Sequence, residues 1–337
     1  MKAGQNSWVF PERPVIISTA TVGGPFEAKG KLASYFDKLN DDIWVDEDSF
    51  EKAQRKIFEQ ACEITLNKSG IDKDQVNYFI GGDLINQITP STFTARTLEL
   101  PYFGLFSACA TSMEGLALAA FIVNYNGADY VLTGTASHNA ATERQFRYPS
   151  EYGGQKPPTS QWTVTGAGCA LVAKNGAGPV VTKATIGKVV DMGLSDPFNM
   201  GGAMAPAAVD TIIRHFTDFD LSPNDYDLII TGDLGKVGLA ATYDLLREKG
   251  FQIGDEQIVD CGLSIYGEDQ KVHAGASGTA SSAVATYGYF LEKIKTGELN
   301  NLLVVATGSL HSPLSVQQND SIPCIAHAVA IERGTTT

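Results

Sequence analysis

The chain has 337 residues, of which 43% are hydrophobic and 19% charged. It is long enough to bury a large core and too polar for a membrane-embedded bundle. Lys and Arg number 25 against 38 Asp and Glu, a net charge of −13, which argues against a role tracking nucleic-acid phosphates.

Glycine is in surplus, 34 residues or about a tenth of the chain, against a usual ~7%. Such a surplus points to many tight turns or close backbone approaches. The five cysteines, Cys62, Cys109, Cys169, Cys261 and Cys324, are scattered and lack C-x-x-C spacing. Neither a disulfide framework nor a zinc site is indicated, and the expectation is a reduced, soluble protein.

Along Met1 to Ala20 the one apolar stretch, Val15–Ser18, is too short for a signal-peptide core. Asp48-Ser49 then opens a helical pattern with Phe50, Ala53, Ile57, Phe58, Ala61 and Ile64 on one face. It closes at Lys68-Ser69-Gly70, a C-cap signature. A buried strand follows, ending in Gly81-Gly82-Asp83-Leu84. Ser107-Ala-Cys109-Ala-Thr-Ser-Met-Glu-Gly introduces a helix that is apolar nearly all round. Its polar residues Ser107, Thr111, Ser112 and Glu114 exclude a membrane span. Next comes a strand running into Thr133-Gly134 and His138, and a closing strand over Thr163–Val172.

The second half repeats this order. A helix through Ala207–Phe216 leads to Leu221…Ile230-Thr-Gly232-Asp233-Leu234, which aligns without a gap on Ile71…Asp83-Leu84. Gly275-Ala-Ser277-Gly introduces a second buried helix, Leu302…Thr307-Gly308…His311 matches the Thr133-Gly134 strand, and Ile322–Ile331 closes the unit. The extra residues of the second copy are expected in Asp244–Leu263. The chain therefore reads as a tandem duplication, with halves 1–175 and 176–337 and a seam near Asn175–Pro179. Alternating strands and helices imply a layered α/β fold with mixed sheets and two buried central helices.

Cys109 falls at the start of the first central helix among small residues. Free N–H groups and partial positive charge at a helix start suit an acyl-accepting thiolate or, equally, a bound carboxylate. Arg144, Arg147 and Lys156, interleaved with Tyr148, Tyr152 and Trp162, supply groups that hold carboxylates and flank a ring. The same cations could instead pair with Glu143 and Glu151. Asp83 and Asp233 read as loop-capping acids, and no EF-hand spacing marks a calcium site. His138 and His311 each could line a pocket. His215 and His273 read as structural. No G-x-G-x-x-G fingerprint is present, so no nucleotide cofactor is expected.

Layering, duplication and a cysteine at the first central helix resemble the thiolase-like superfamily of thiolases and ketoacyl synthases, with its layered αβαβα architecture. The chain is more closely similar to the stage V sporulation protein AD family of spore-forming bacteria. The segments that carry this are Trp8-Val-Phe, Gly82-Asp-Leu-Ile-Asn-Gln87, Ala108-Cys-Ala-Thr-Ser-Met-Glu114, Ser137-His-Asn-Ala140, Glu143-Arg-Gln-Phe-Arg-Tyr-Pro149, Glu151-Tyr-Gly-Gly-Gln-Lys-Pro157 and Gly202-Ala-Met-Ala-Pro-Ala-Ala208.

The resemblance implies a non-enzymatic protein that binds dipicolinic acid or its calcium chelate and helps bring it into the developing spore. It further implies work at the spore inner membrane beside other SpoVA membrane subunits, and a homodimer. The alternative is a thiolase- or ketoacyl-synthase-type acyltransferase with Cys109 as nucleophile. Condensing enzymes of the superfamily pair that cysteine with His and with His or Asn. Here Thr231-Gly232-Asp233 and Gly275-Ala-Ser-Gly278 stand at those places. Cys324 lies near a thiolase's second cysteine, without its glycine-rich context. The candidate ligand-contacting set is Cys109, Asp83, Asn86, His138, Arg144, Arg147, Lys156 and Thr165. No cofactor is expected beyond calcium carried with the ligand.

Overall fold

The computed structural model describes residues 1–146, 156–254 and 256–334, Phe146 by its backbone. The first half runs β1 (Val15–Gly23), α1 (Phe50–Ser69), β2 (Tyr78–Gly82), α2 (Thr89–Leu98), β3 (Tyr102–Gly104), α3 (Thr111–Asn124), β4 (Tyr130–Ser137), α4 (Asn139–Phe146) and β5 (Gly166–Ala173). The second runs β6 (Val180–Ile186), α5 (Met200–Phe219), β7 (Leu228–Thr231), α6 (Gly235–Glu248), β8 (Ile258–Asp260), α7 (residues 279–296, its middle turn a π-helix over Ala285–Phe290), β9 (Asn301–Ser309) and β10 (Cys324–Glu332).

Local sequence explains the element ends. Ser49 accepts from the Lys52 N–H at the start of α1, and Gly70 ends it with a left-handed φ of 69°, the conformation a Cβ disfavours. Asn199 caps α5 in the same manner, accepting from the Gly202 N–H.

The duplication is visible strand by strand. One sheet has the order β3-β2-β4-β5-β1 and the other β8-β7-β9-β10-β6. In each, the last strand of the copy is antiparallel to its two neighbours, and the remaining pairs are parallel. The sheets meet where β1 and β6 pair at Val15 and Val180. The short strand Ser7–Val9 crosses to pair with β6.

Five layers result. Helices α1 and α2 cover the outer face of the first sheet, α5 and α6 that of the second, and α3 and α7 lie between them. Three apolar clusters match the interfaces: α1 with the first sheet, α5 with the second, and the largest around the central helices. Helix α3 buries Met113, Leu116, Ala117, Ala119, Ala120 and Val123. Burial on almost every side is what its unbroken apolar surface requires, and the alanines let strands of both sheets approach it.

Only part of the second copy's surplus falls in Asp244–Leu263, in the longer connection between α6 and β8. Its largest part is 261–278 between β8 and α7, where the first copy uses 105–110. The reason is a pairing the first half lacks: Ala276–Ser277 runs parallel to Trp162–Thr163, so the segment must travel outward and return.

Close approach fixes at least one glycine. A Cβ on Gly308 of β9 would sit 2.2 Å from the Ser107 carbonyl oxygen and 3.1 Å from the Cys109 nitrogen. Substituting Gly308→Ala should therefore destabilise the fold by about 1–3 kcal/mol through overpacking. Gly254→Ala, whose Cβ meets nothing within 4 Å, should change little. Urea unfolding of both variants checks this, and equal midpoints would refute it.

Candidate functional site

Cys109 stands on a strained turn. Ala108 before it has a φ of 46°, rare for a residue with a Cβ. The turn is tied by the Ala110 N–H donating to the Ser107 carbonyl at 3.0 Å. The Thr111 hydroxyl accepts from the Ser107 N–H at 3.0 Å and donates to the Ala108 carbonyl at 2.7 Å. Behind it, Ser107 Oγ lies 3.1 Å from His327 Nε2, and His327 Nδ1 accepts from the Gly187 N–H. That acceptor role places the ring proton on Nε2. Burial holds His327 down to about 4, so the ring is neutral at pH 7.

The groups facing Cys109 come from the second half. Asp233, just past β7, is fully buried. It accepts from Thr307 Oγ1 at 2.9 Å and from the Gly278 N–H at 3.1 Å, and hydrogen-bonds with the Cys109 thiol. Burial pushes its carboxyl up to about 7, against the downward pull of these hydrogen bonds. The group is thus near the midpoint of its titration at neutral pH.

The matched acid in the first half does different work. Asp83 accepts from the Ile85 and Ser91 N–H groups and the Ser91 hydroxyl, fastening the start of α2. In the second half the corresponding task falls to Asp260, which accepts from the Leu234 and Gly235 N–H groups at 2.9 and 3.1 Å. Asp233 is thereby left to face the cysteine. Asp83 and Asp260 are fully buried, and burial raises each to about 6.

A narrow pocket of about 30 Å3 opens over this group, lined by Cys109, Leu84, Phe106, Ala108, Thr142, Thr163, Met200, Ser277, Gly278, Ser309 and His311. That volume holds a water-sized polar group. Of the lining hydroxyls, Thr163 Oγ1 donates to Glu143 Oε1 and Ser309 Oγ to Met200 Sδ, each at 3.4 Å, and Phe106, 51% exposed, forms an apolar lip. Among the described residues, no three His, Cys, Asp or Glu side chains converge as a metal-binding group.

Of the described residues of the candidate set, only Cys109 lines this pocket. Asn86 is exposed and accepts from Gln145 Nε2 at 2.6 Å. His138 is buried against Phe50 and bonded to the Ile43 carbonyl at 2.7 Å, so of the two histidines weighed for the pocket it is His311 that lines it. Thr165 is engaged with Glu27 and Asn139. Arg144 pairs with Glu51 at 3.0 Å on the surface, and Lys156 with buried Glu143 at 3.0 Å, over the Trp162 ring. Arg147 lies outside the described residues. Sequence reasoning missed Thr142 and Thr163 of the same half and, from the other copy, Met200, Ser277, Ser309 and above all the Asp233 contact with the thiol. The aligned Thr-Gly strands were the one signal that could have placed Thr307 beside the cysteine.

The family model for stage V sporulation protein AD matches residues 4–332. A stage V sporulation protein AD of Bacillus subtilis (strain 168) is 47% identical over 331 residues, 98% of this chain and 97% of that protein. Among solved structures, a variant of OleA from Xanthomonas campestris matches with a TM-score of 0.62 at 14% identity, over 98% of this chain and 99% of that one. A 3-oxoacyl-(acyl carrier protein) synthase III from Pseudomonas aeruginosa matches with a TM-score of 0.58 at 14% identity, over 96% and 99%. Likeness at such identities concerns the fold, which is thiolase-like. With its two matched sheets and buried central helices, the chain belongs to the stage V sporulation protein AD family.

Proposed function

We propose that this sporulation protein binds dipicolinic acid, or its calcium chelate, without transforming it, and that the Cys109 pocket receives the ligand. The observation that carries the reading is the pairing of Cys109 with Asp233. A condensing enzyme needs imidazole and amide donors against its cysteine to hold a thiolate and an enolate oxygen. A carboxyl group supplies no positive charge for either. What remains is a polar pocket at a helix start, suited to hydrogen-bonding a carboxylate.

The dimensions favour insertion of one ligand carboxylate group, with the pyridine ring resting at the mouth against Phe106 and Met200. Protonated Asp233 then shares its proton with the pocket's acceptors, and the lining hydroxyls donate to the ligand. Calcium enters this reading as part of the ligand, coordinated by the dipicolinate itself.

The proposal includes a second copy of the chain and a place beside the membrane subunits of the spore. No described helix is long and apolar enough to cross a membrane. Strand β3 ends the first sheet with an open edge, and Phe103 on it is 48% exposed. An unpaired edge carrying an aromatic side chain favours pairing with an identical edge. Sedimentation should give a dimer that Phe103→Asp weakens, and a monomer at micromolar concentration would refute this part.

Titration calorimetry should show saturable heat with pyridine-2,6-dicarboxylate. Ser277→Val, which removes a lining hydroxyl and adds a methyl group's bulk to the narrow pocket, should weaken binding by about tenfold or more, equal to 1.4 kcal/mol. Unchanged affinity in that variant would remove the site from consideration. Incubation with acyl-CoA donors should leave Cys109 unmodified by intact mass, and a stoichiometric adduct would favour the acyltransferase reading.

Stability should also report Asp233. Its folded pKa of about 7 lies above the ordinary value near 3.9, so the folded chain holds an extra proton between these limits. Its contribution to stability therefore falls as pH rises through that window. The melting temperature of Asp233→Asn relative to the unsubstituted protein should rise steadily from about pH 4 to about pH 8. A difference independent of pH would refute the assignment.

A further inference from the structure

On the outer side of the 275–278 strand, away from Cys109, three lysines from separate parts of the chain converge. Lys31 follows the turn Glu27–Lys29, Lys236 is the second residue of α6, and Lys271 lies in the 261–278 surplus. Together with His273 they line a concavity of about 360 Å3, the size of a small-ligand site. Glu268 is the one acid among its lining residues. None of the three lysines takes part in an ion pair among the described residues, whereas Lys52, Lys68, Lys73, Lys156, Lys183, Lys188 and Lys293 all do.

The walls are fastened rather than loose. Gln270 donates to the Phe26 carbonyl at 2.8 Å and accepts from the Gly267 N–H at 2.8 Å. Tyr266, at the inner wall, is bonded to buried Glu27. The Lys236 N–H donates to the Ala274 carbonyl at 2.8 Å, which ties α6 to the surplus segment. His273 holds a φ of 55°, a conformation uncommon for a side chain of its size. At Gly275 a φ of 128° leaves the floor without a Cβ.

Three lysines lining one concavity without an ion pair among the described residues concentrate positive charge there. In a chain of net charge −13 acidic partners are plentiful, yet among the described residues Glu268 is the one acid that lines the concavity, against three lysines. We infer that this concavity is a second ligand site, for a small polyanion carrying at least two negative charges on phosphate or carboxylate groups. The ammonium groups act as flexible point charges. The local positive field offsets the long-range repulsion that the acidic chain exerts on any anion. The inference does not depend on the reading of the Cys109 pocket, which takes Ser277 and Gly278 from this segment where the concavity takes Gly275.

Calorimetry of the full chain with pyrophosphate and with citrate tests it, at low and at 0.5 M salt. Saturable binding is expected for one or both, weaker in high salt and reduced about tenfold or more in the triple variant Lys31→Gln/Lys236→Gln/Lys271→Gln. Which probe binds tells phosphate from carboxylate chemistry. If the triple variant melts lower than the unsubstituted chain, Lys271→Gln alone, on the exposed loop, carries the comparison. Absence of saturable binding by both probes, or equal binding by the variants, overturns the inference.

Discussion

The structure turns on one contact between its two halves. Gly308 of the second sheet presses its backbone onto the turn that presents Cys109 at the start of the first half's central helix. No side chain fits between them. The central layer can be thin because alanine and glycine dominate it, and because it is thin the second half's Asp233 and Thr307 reach the cysteine. A pocket assembled in this way has no existence in either half alone.

Duplication provided two equivalent acids, and the structure has used them differently. In the first half Asp83 spends its lone pairs on the backbone of its own loop. In the second half Asp260 takes over that duty from a neighbouring strand, and Asp233 is released to face the other copy. Both arrangements satisfy a buried carboxyl group by hydrogen bonding, as burial demands. One of them leaves a titrating group against a thiol. The thiolase-like scaffold thus keeps its strained cysteine turn and sets against the thiol a buried carboxyl group from the other half.

Charge sets a second constraint. An acidic surface keeps anions away, so a chain that handles an anionic ligand needs places where the field reverses. At the Cys109 pocket no Lys or Arg is among the described lining residues, and burial, which raises the Asp233 carboxyl to about 7, keeps part of its negative charge from forming at neutral pH. Across the 275–278 strand the lysine-lined concavity reverses the field with full charges. Two of the cations that the sequence offered for a carboxylate, Arg144 and Lys156, are instead occupied by Glu51 and Glu143.

Much of the architecture was legible in the sequence because periodicity and caps are local. The α1 helix from Ser49 to Gly70, the paired Gly-Asp strand ends and the unbroken apolar surface of α3 all follow from spacing between near neighbours. The ordered repeat of these signals implied two equivalent sheets around two buried helices. The special position of Cys109 was also legible, from small residues at a helix start. Its surroundings were not. Which acid faces the thiol, why His311 and not His138 lines the pocket, and where Arg144 and Lys156 point depend on packing between segments far apart in the chain. Hydrogen-bond partners at such separations leave no periodic trace, so only the tertiary structure could decide them.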